Sequence, residues 1–294
     1  MKTGAAISFL ALGFMLFACG CKNAQTPKPG DEPAVVRRPD PAPFSVVASE
    51  QNQRVDGLTT LWARLTLRVS GKLANTDLNK EEAEGHLQIV LPSKVAVTVD
   101  KLGNTYFYLG SNDDVYWWLD LSKAKRGYFG RHAQATTETV DRFGIPVHPL
   151  DLIELMAITP ISPEILAQSP PPQVRWTNDG KLLWYETPAR GSMKRVFVDP
   201  KTYLPEMVEL LDPQGKVVVR SELSKYESFQ SRSKPIAHPS VPTRCIFTVP
   251  RSEVTIAINL NDPTDKKIHP ATFDFKDLAT NLYRVNSFVD LDKK

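Results

Sequence analysis

The sequence is poor in cysteine and has none of the motifs that mark common enzyme families. Only three of its 294 residues are cysteine, and two of them, Cys19 and Cys21, stand together near the N-terminus. Cys245 is then the single thiol of the remaining chain and cannot form an internal disulfide, so the fold must depend on an apolar core. We interpret Cys245 as a small buried hydrophobic residue.

Residue patterns for catalysis or metal binding are also missing. The sequence contains no GxSxG, HExxH, Walker-type or CxxC motif. Its five histidines do not have metal-ligand spacing. Two acidic clusters, Asp113-Asp114 and Asp262 with Asp265, do not match a calcium loop and are better explained as turn residues. We therefore expect a protein that is not an enzyme, with no catalytic residues, no metal and no cofactor.

Charge of one sign is scarce as well. The 36 basic and 33 acidic residues nearly cancel, which leaves a formal net charge of +3. Without a long basic run the chain does not have the character of a nucleic-acid-binding protein or of a polybasic membrane-contacting protein. Hydrophobic residues make up 41% and charged residues 23% of the chain, as in ordinary globular proteins.

The N-terminus carries the clearest targeting pattern. Lys2 precedes an uncharged, apolar-rich run, Ala5–Ala18, that is shorter than the ~20 apolar residues of a spanning helix. A basic start, a short apolar core and small residues at its end are typical of an export signal. A Pro-rich stretch follows from residue 22 to 44, and its six prolines predict an extended spacer.

Leu16 lies three residues before Cys19, and Ala18 lies directly before it. This placement resembles the lipobox of bacterial lipoproteins. The resemblance implies cleavage before Cys19, acylation of that cysteine with palmitate or a similar chain, and an N-terminal lipid anchor in a membrane. Because no Asp follows Cys19, it also implies a periplasm-facing outer-membrane location. Cys21 is a second candidate, and an ordinary cleaved signal with incidental cysteines is the alternative.

The rest of the chain reads mainly as β-strands. About ten short runs alternate between apolar and polar residues at the spacing typical of antiparallel sheets. An apolar stripe from Val47 to Leu65 predicts a helix that ends near Ala63, after which a strand begins. Two short helices, Pro149–Met156 and Ser162–Leu166, interrupt the strands. Turns are predicted at 199–202, at 212–215 and around 262–263.

Three segments resemble the LolA/LolB lipoprotein-localisation superfamily. They are the strand and proline of Gly85–Pro92, the hairpin of Arg195–Pro205, and the turn Asp212–Lys216 followed by Tyr226. The resemblance implies a mainly β (α+β) fold in which short helices cover the concave side of a highly curved antiparallel sheet, an incomplete β-barrel. It also implies binding of acyl chains or lipoprotein lipid between sheet and helices. LolA is soluble and LolB is lipid-anchored, so the lipobox favours the anchored branch.

These observations give four expected segments and one candidate site. The segments are a signal peptide at 1–18, a lipid-anchored tether at 19–44, a LolA/LolB-like β domain at 45–261 and a C-terminal extension at 262–294. Alternation suggests six residues for the lining of a hydrophobic cavity: Trp62, Leu65, Phe107, Trp117, Leu152 and Met156. The alternative is a structural or scaffolding envelope lipoprotein, in which the sheet is filled by its own side chains and binds no ligand.

Overall fold

The computed structural model describes residues 38–73, 76–135, 148–190, 192–251 and 253–293. The predicted signal peptide, Cys19 and most of the tether lie outside the described residues. Residues 40–294 form one compact unit. Among the described helices, none combines the length and the apolar character needed to cross a bilayer.

The strands of this unit join into one sheet. Their bounds are β1 Thr60–Leu73, β2 Thr76–Val90, β3 Lys94–Lys101, β4 Asn104–Ser111, β5 Val115–Asp120, β6 Arg126–Arg131, β7 Arg175–Trp176, β8 Leu183–Ala189, β9 Ser192–Val198, β10 Pro205–Leu211, β11 Val217–Ser228, β12 Ser240–Val249, β13 Val254–Thr264 and β14 Ser287–Asp290. The helices are α1 Phe44–Arg54, α2 Pro149–Leu155, α3 Pro163–Leu166 and α4 Phe275–Asp277, with short 3-10 turns at His132–Gln134 and Pro270–Phe273 and a π-turn at Leu278–Leu282.

The fourteen strands follow the order β14-β6-β5-β4-β3-β2-β1-β13-β12-β11-β10-β9-β8-β7. Neighbouring strands are antiparallel, apart from the parallel pair β14 and β6. Strand β1 lies in the middle of the sheet, where it pairs with β2 on one side and with β13 on the other. The sheet is curved and is not closed into a barrel. The predicted fold class, a mainly β incomplete barrel with few short helices, is confirmed.

The first predicted helix is too long, and its second half is wrong. Helix α1 ends at Arg54, and Gly57 then takes a positive φ of 72°, which a side chain at that position would disfavour. The part of the expected helix from Leu58 to Ala63 is instead a short connection and the first part of β1. Its apolar spacing fitted a helix only while Ala63 was left out. Ala63 is fully buried and completes an alternating series with Leu61 and Leu65.

The predictions of α2 and of the turn at 212–215 are confirmed, whereas that of the turn around 262–263 is not. Helix α2 begins at Pro149, as expected for a residue that lacks an N–H. The turn after β10 is fixed by Asp212, whose Oδ1 accepts hydrogen bonds from the amides of Gln214 and Lys216. The prediction of a turn around 262–263 is wrong, because β13 continues through these residues to Thr264.

Both faces of the sheet bury apolar residues, but different segments cover them. Helices α1 and α2 pack on what we call the inner face, which carries the main core. Residues 268–285 pack on the opposite, outer face of β3, β4 and β5. The second core contains Ala96, Tyr108, Trp117 and Leu119 from the sheet and Ile268, Phe273, Leu278 and Ala279 from the covering segment. The domain boundaries at 44/45 and 261/262 stay predictions.

Candidate functional site

The candidate site is the space between the inner face and a cover made of α1, α2 and residues 156–161. The floor is apolar because alternate residues of each strand point inward. Buried floor residues include Leu61, Leu65, Leu87, Ile89, Val97, Leu109, Val196, Val208, Leu223, Phe247 and Leu260. Buried cover residues are Phe44, Val47, Ala48, Leu152, Ile153, Leu155, Met156, Ala157, Ile158 and Ile161.

Polar side chains of α1 fasten the loop that follows α2. The Nε2 of Gln51 donates to the carbonyl oxygens of Ala157 at 2.8 Å and Thr159 at 2.9 Å. Asn52 forms two hydrogen bonds with Ile161, donating from Nδ2 at 3.1 Å and accepting from the amide at 2.6 Å. These bonds satisfy loop carbonyls and amides that the cover would otherwise bury without partners.

Arg54, at the end of α1, joins the cover to the sheet. Its guanidinium donates to the carbonyl oxygen of Ala157, to that of Ser240 at 2.6 Å and to Oε1 of Gln51 at 2.9 Å. It also lies 5.4 Å from the centre of the Tyr226 ring. Burial lowers the pKa of Arg54, because the charged form loses its solvation. The oxygens around the guanidinium offset part of this lost solvation.

A second set of polar contacts holds the other side of α2. Asp151 pairs with Arg190 at 3.2 Å, and Glu154 pairs with Lys194; both cations lie at the hairpin of β8 and β9. Burial raises the pKa of Asp151 despite this pairing. The hydroxyl of Ser221 on β11 donates to the carbonyl oxygen of Leu155 at 2.6 Å. Helix α2 is thus fastened to the sheet around its apolar underside.

Four of the six predicted lining residues meet at the inner face. Leu65, Leu152 and Met156 belong to the main core, and Phe107 packs against it. Trp62 and Trp117 lie elsewhere. Trp117 is part of the second core on the outer face, where its ring lies 5.4 Å from that of Phe275.

Trp62 also avoids the inner face. Its ring lies 5.4 Å from that of His86, and the ammonium of Lys266 lies 3.0 Å from its ring centre. In β5 the neighbouring residues Tyr116 and Trp118 take inner positions instead of Trp117. Whether any of these residues lines a ligand cavity stays a prediction.

Two grooves open on the surface beside this site. One, of about 690 Å³, runs between α1 and Leu166 of α3. The other, of about 460 Å³, lies between the start of α1 and the prolines at 170–172. Neither groove lies between the floor and the cover, where Leu155 and Met156 are almost completely buried. Among the described residues, the apolar side chains of floor and cover pack against one another in this interior.

The chemistry of this interior is that of apolar contact. Cys245 lies in the core at 1% exposure, and burial raises the pKa of its thiol to about 12. Within the described ranges, no three His, Cys, Asp or Glu side chains come together as metal ligands. Polar and ionic groups around the interior hold the cover, and the interior itself offers apolar surface.

Several solved structures have a similar architecture. A putative outer membrane lipoprotein-sorting protein domain from Vibrio parahaemolyticus superposes with a TM-score of 0.53 at 15% identity, covering 80% of this chain and 97% of that domain. A LolA superfamily protein from Nitrosomonas europaea gives a TM-score of 0.51 at 12% identity, covering 79% and 97%. The described domain has a LolA-like fold.

A third structure supports the same architecture. A DUF1329 family protein from Desulfovibrio piger superposes with a TM-score of 0.52 at 12% identity, covering 79% of this chain and 96% of that one. No family model matches the sequence, and no curated protein matches it. At these identities the likeness concerns the LolA-like fold alone.

Sequence reasoning missed the polar residues that fasten the cover. Gln51, Asn52 and Arg54 look like ordinary solvent-facing residues of an amphipathic helix. Their partners lie more than 100 residues away in sequence, so no local pattern pairs them. The one available signal was their clustering in the last turn of α1.

Proposed function

We propose that this protein is a lipid-anchored envelope protein that binds acyl chains or lipoprotein lipid beneath its α1–α2 cover. One observation carries the proposal: an apolar interior is closed by helices that polar and ionic bonds fasten at their edges. Such bonds can be exchanged for water when the cover lifts, at a modest net cost for each bond. The LolA-like fold supports the same function.

An acyl chain would take the place of cover side chains on the apolar floor. Each buried CH₂ group contributes ~0.8 kcal/mol, so eight carbons would offer ~6 kcal/mol before the costs of association. The structure then corresponds to the closed arrangement of the cover, and ligand entry requires α2 and the loop after it to move away from Leu65 and its neighbours.

The anchor and its location complete the proposal. Acylation of Cys19 would hold the domain at the periplasmic side of the outer membrane, with the Pro-rich segment as a spacer. A Cys19→Ser variant should accumulate as the unprocessed precursor and lose labelling by palmitate. Cys21→Ser should be processed and labelled like the unmutated protein. Labelling that persists in Cys19→Ser would reject Cys19 as the anchor.

A specific observation also favours the second candidate, a structural envelope lipoprotein without a ligand. Large apolar side chains of floor and cover pack together in the described part of the interior, and several of them have less than 2% exposure. In this case the cover would stay closed, and the inner core would have only a stabilising role.

Uptake of a fluorescent fatty acyl probe by the delipidated domain separates the two candidates. The carrier proposal expects saturable binding at micromolar probe concentration that unlabelled lipopeptide displaces. Met156→Glu should abolish binding, because a charge at this buried position is costly against an acyl chain. Met156→Leu, of similar volume, should retain it. If the unmutated domain takes up no probe, the structural candidate is the better account.

A further inference from the structure

A cluster of two histidines and a tyrosine lies at the N-terminal end of α2. His148 precedes the helix, and its Nδ1 accepts a hydrogen bond from the amide of Leu150 at 3.1 Å. Its ring lies 4.4 Å from that of Tyr116 and 5.3 Å from that of His132. With 1% exposure, His148 is buried. The start of the movable helix is thus held by an imidazole.

The hydrogen bonds define the protonation that this arrangement requires. Because Nδ1 of His148 accepts from Leu150, the neutral ring carries its proton on Nε2. That Nε2 is buried and has no hydrogen-bond partner among the described residues. A second proton would have to go to Nδ1, where it would face the N–H of Leu150 and remove the cap.

Among the described residues, no acidic group acts on His148 to compensate for a positive charge there. The charges that act on it from this part of the chain are those of Arg190 and His132, and both disfavour the cation. Asp151 lies in the first turn of α2, but Arg190 already pairs with it. Glu154, further along α2, pairs with Lys194. The arrangement therefore favours neutral His148 in the closed state.

The pKa of His132 is lowered as well, but less than that of His148. Its Nε2 lies 2.8 Å from the carbonyl oxygen of Asn112, so the proton sits there and Nδ1 is left buried without a partner in the described part of the chain. Burial lowers its pKa, while Asp113 and Asp114 on the adjoining turn raise it. Two neighbouring imidazoles are thus kept neutral beside the cover.

We propose that neutral His148, as the N-cap of α2, keeps the cover closed, and that proton uptake at Nδ1 breaks this cap and releases the cover. We call this acid-sensitive N-cap the catch. The biological use of the catch rests on the proposed function, because an acid-loosened cover would favour exchange of a bound acyl chain. The catch itself is a property of the domain without ligand.

The sign of the effect follows from the lowered pKa. Burial takes the pKa of His148 from 6.5 to about 2 in the closed state, whereas an opened cover restores the ordinary value. Protonation thus favours opening as the pH falls below 6.5, by up to about tenfold in the open-to-closed ratio per pH unit. Asp151 acts in the opposite direction, since its raised pKa makes protonation favour the closed state.

Hydrogen exchange of the ligand-free protein tests the catch. Between about pH 6.5 and about pH 5, the protection of amides in α2, corrected for intrinsic exchange, should fall by about tenfold per pH unit. His148→Asn keeps a neutral acceptor for the Leu150 amide and should reduce this fall to the smaller part that His132 contributes, while the contribution of Asp151 is unchanged. His238→Asn, at an exposed histidine, is the matched control and should behave like the unmutated protein.

Two outcomes would overturn the proposal: an equal loss of protection in His148→Asn, or no loss in the unmutated protein. If His148→Asn does not fold, NMR titration of the imidazoles in the unmutated protein decides. The ring of His148 should then stay neutral at about pH 5 in the closed state, and a midpoint near its ordinary value would reject the catch. A cover that loosens in acid while no acyl probe binds at any pH would reject the proposed function and leave the catch intact.

Discussion

The two segments that cover the sheet differ in how they are attached. The α1–α2 cover is fastened at its edges by side chains, among them Gln51 and Arg54, and by the ion pairs of α2. The C-terminal segment also accepts side-chain hydrogen bonds, from Tyr108 to the carbonyl oxygen of Thr272 at 2.6 Å and from Asn112 to that of Phe273 at 3.2 Å. In addition it joins the sheet itself through β14 and packs by aromatic contact, for example of Phe275 with Trp117. We therefore expect the α1–α2 cover to open more readily than the C-terminal segment, which is part of the sheet.

The largest effect is expected in the second core. Trp117 is fully buried there, and its ring lies so close to Gly110 that a Cβ on this glycine would overlap with it. Trp117→Ala should lower the free energy of unfolding by about 3–5 kcal/mol, because the covering segment could not fill the cavity. Chemical denaturation measures this. Trp62→Ala, at a partly exposed tryptophan, should cost clearly less, and equal costs would contradict a permanent second core.

A smaller effect is expected at Gly110 itself. Gly110→Ala would force the Trp117 ring to shift and should cost about 1–3 kcal/mol in denaturation experiments, as overpacking usually does. Gly103→Ala is a useful comparison, since nothing lies within 4 Å of a Cβ there, although its φ of 78° adds strain. If Gly110→Ala left stability unchanged, the close packing of Trp117 on β4 would be refuted.

Loosening the cover should affect local opening more than global stability. Arg54→Met keeps the length of the side chain and removes its hydrogen bonds to Ala157 and Ser240. We expect faster exchange in α2 and the loop after it, with a global loss of only about 1–3 kcal/mol. Arg68→Met, at an exposed arginine paired with Glu82, should change neither. Unchanged exchange near α2 would show that Arg54 does not hold the cover.

The smallest effect is expected from one ion pair of the cover. Lys194→Met removes the partner of Glu154, and both side chains keep some contact with solvent. We expect a loss of at most about 1 kcal/mol in the free energy of unfolding, which high salt would reproduce in the unmutated protein. A loss several times larger would mean that the ion pair, rather than apolar packing, keeps α2 in place.

The sequence predicted most strands of the sheet, because alternation is a local pattern. It also predicted α2, since Pro149 begins an apolar run of helical length. It failed where a residue has two interpretations, as with Leu61 and Leu65, whose spacing fits a helix as well as a strand. The true end of α1 depends on Gly57 and on packing against distant loops.

The candidate site was predictable in character but not in detail. Leu65, Leu152 and Met156, predicted to line a cavity, lie in the main core, whereas Trp62 and Trp117 take the other face. A shift of one residue along a strand changes the face, and in β5 both faces are buried, so hydrophobicity alone could not decide between Trp117 and Trp118. The fasteners of the cover depend on contacts between distant segments.

Hydrogen exchange of the delipidated domain with and without a saturating acyl ligand tests the central claim most directly. The account expects ligand-dependent changes in α1, in α2 and in residues 156–161, while β14 and the rest of the C-terminal segment keep the same protection. Changes confined to the C-terminal segment, or identical exchange everywhere with and without ligand, would contradict an acyl-binding interior beneath a movable cover.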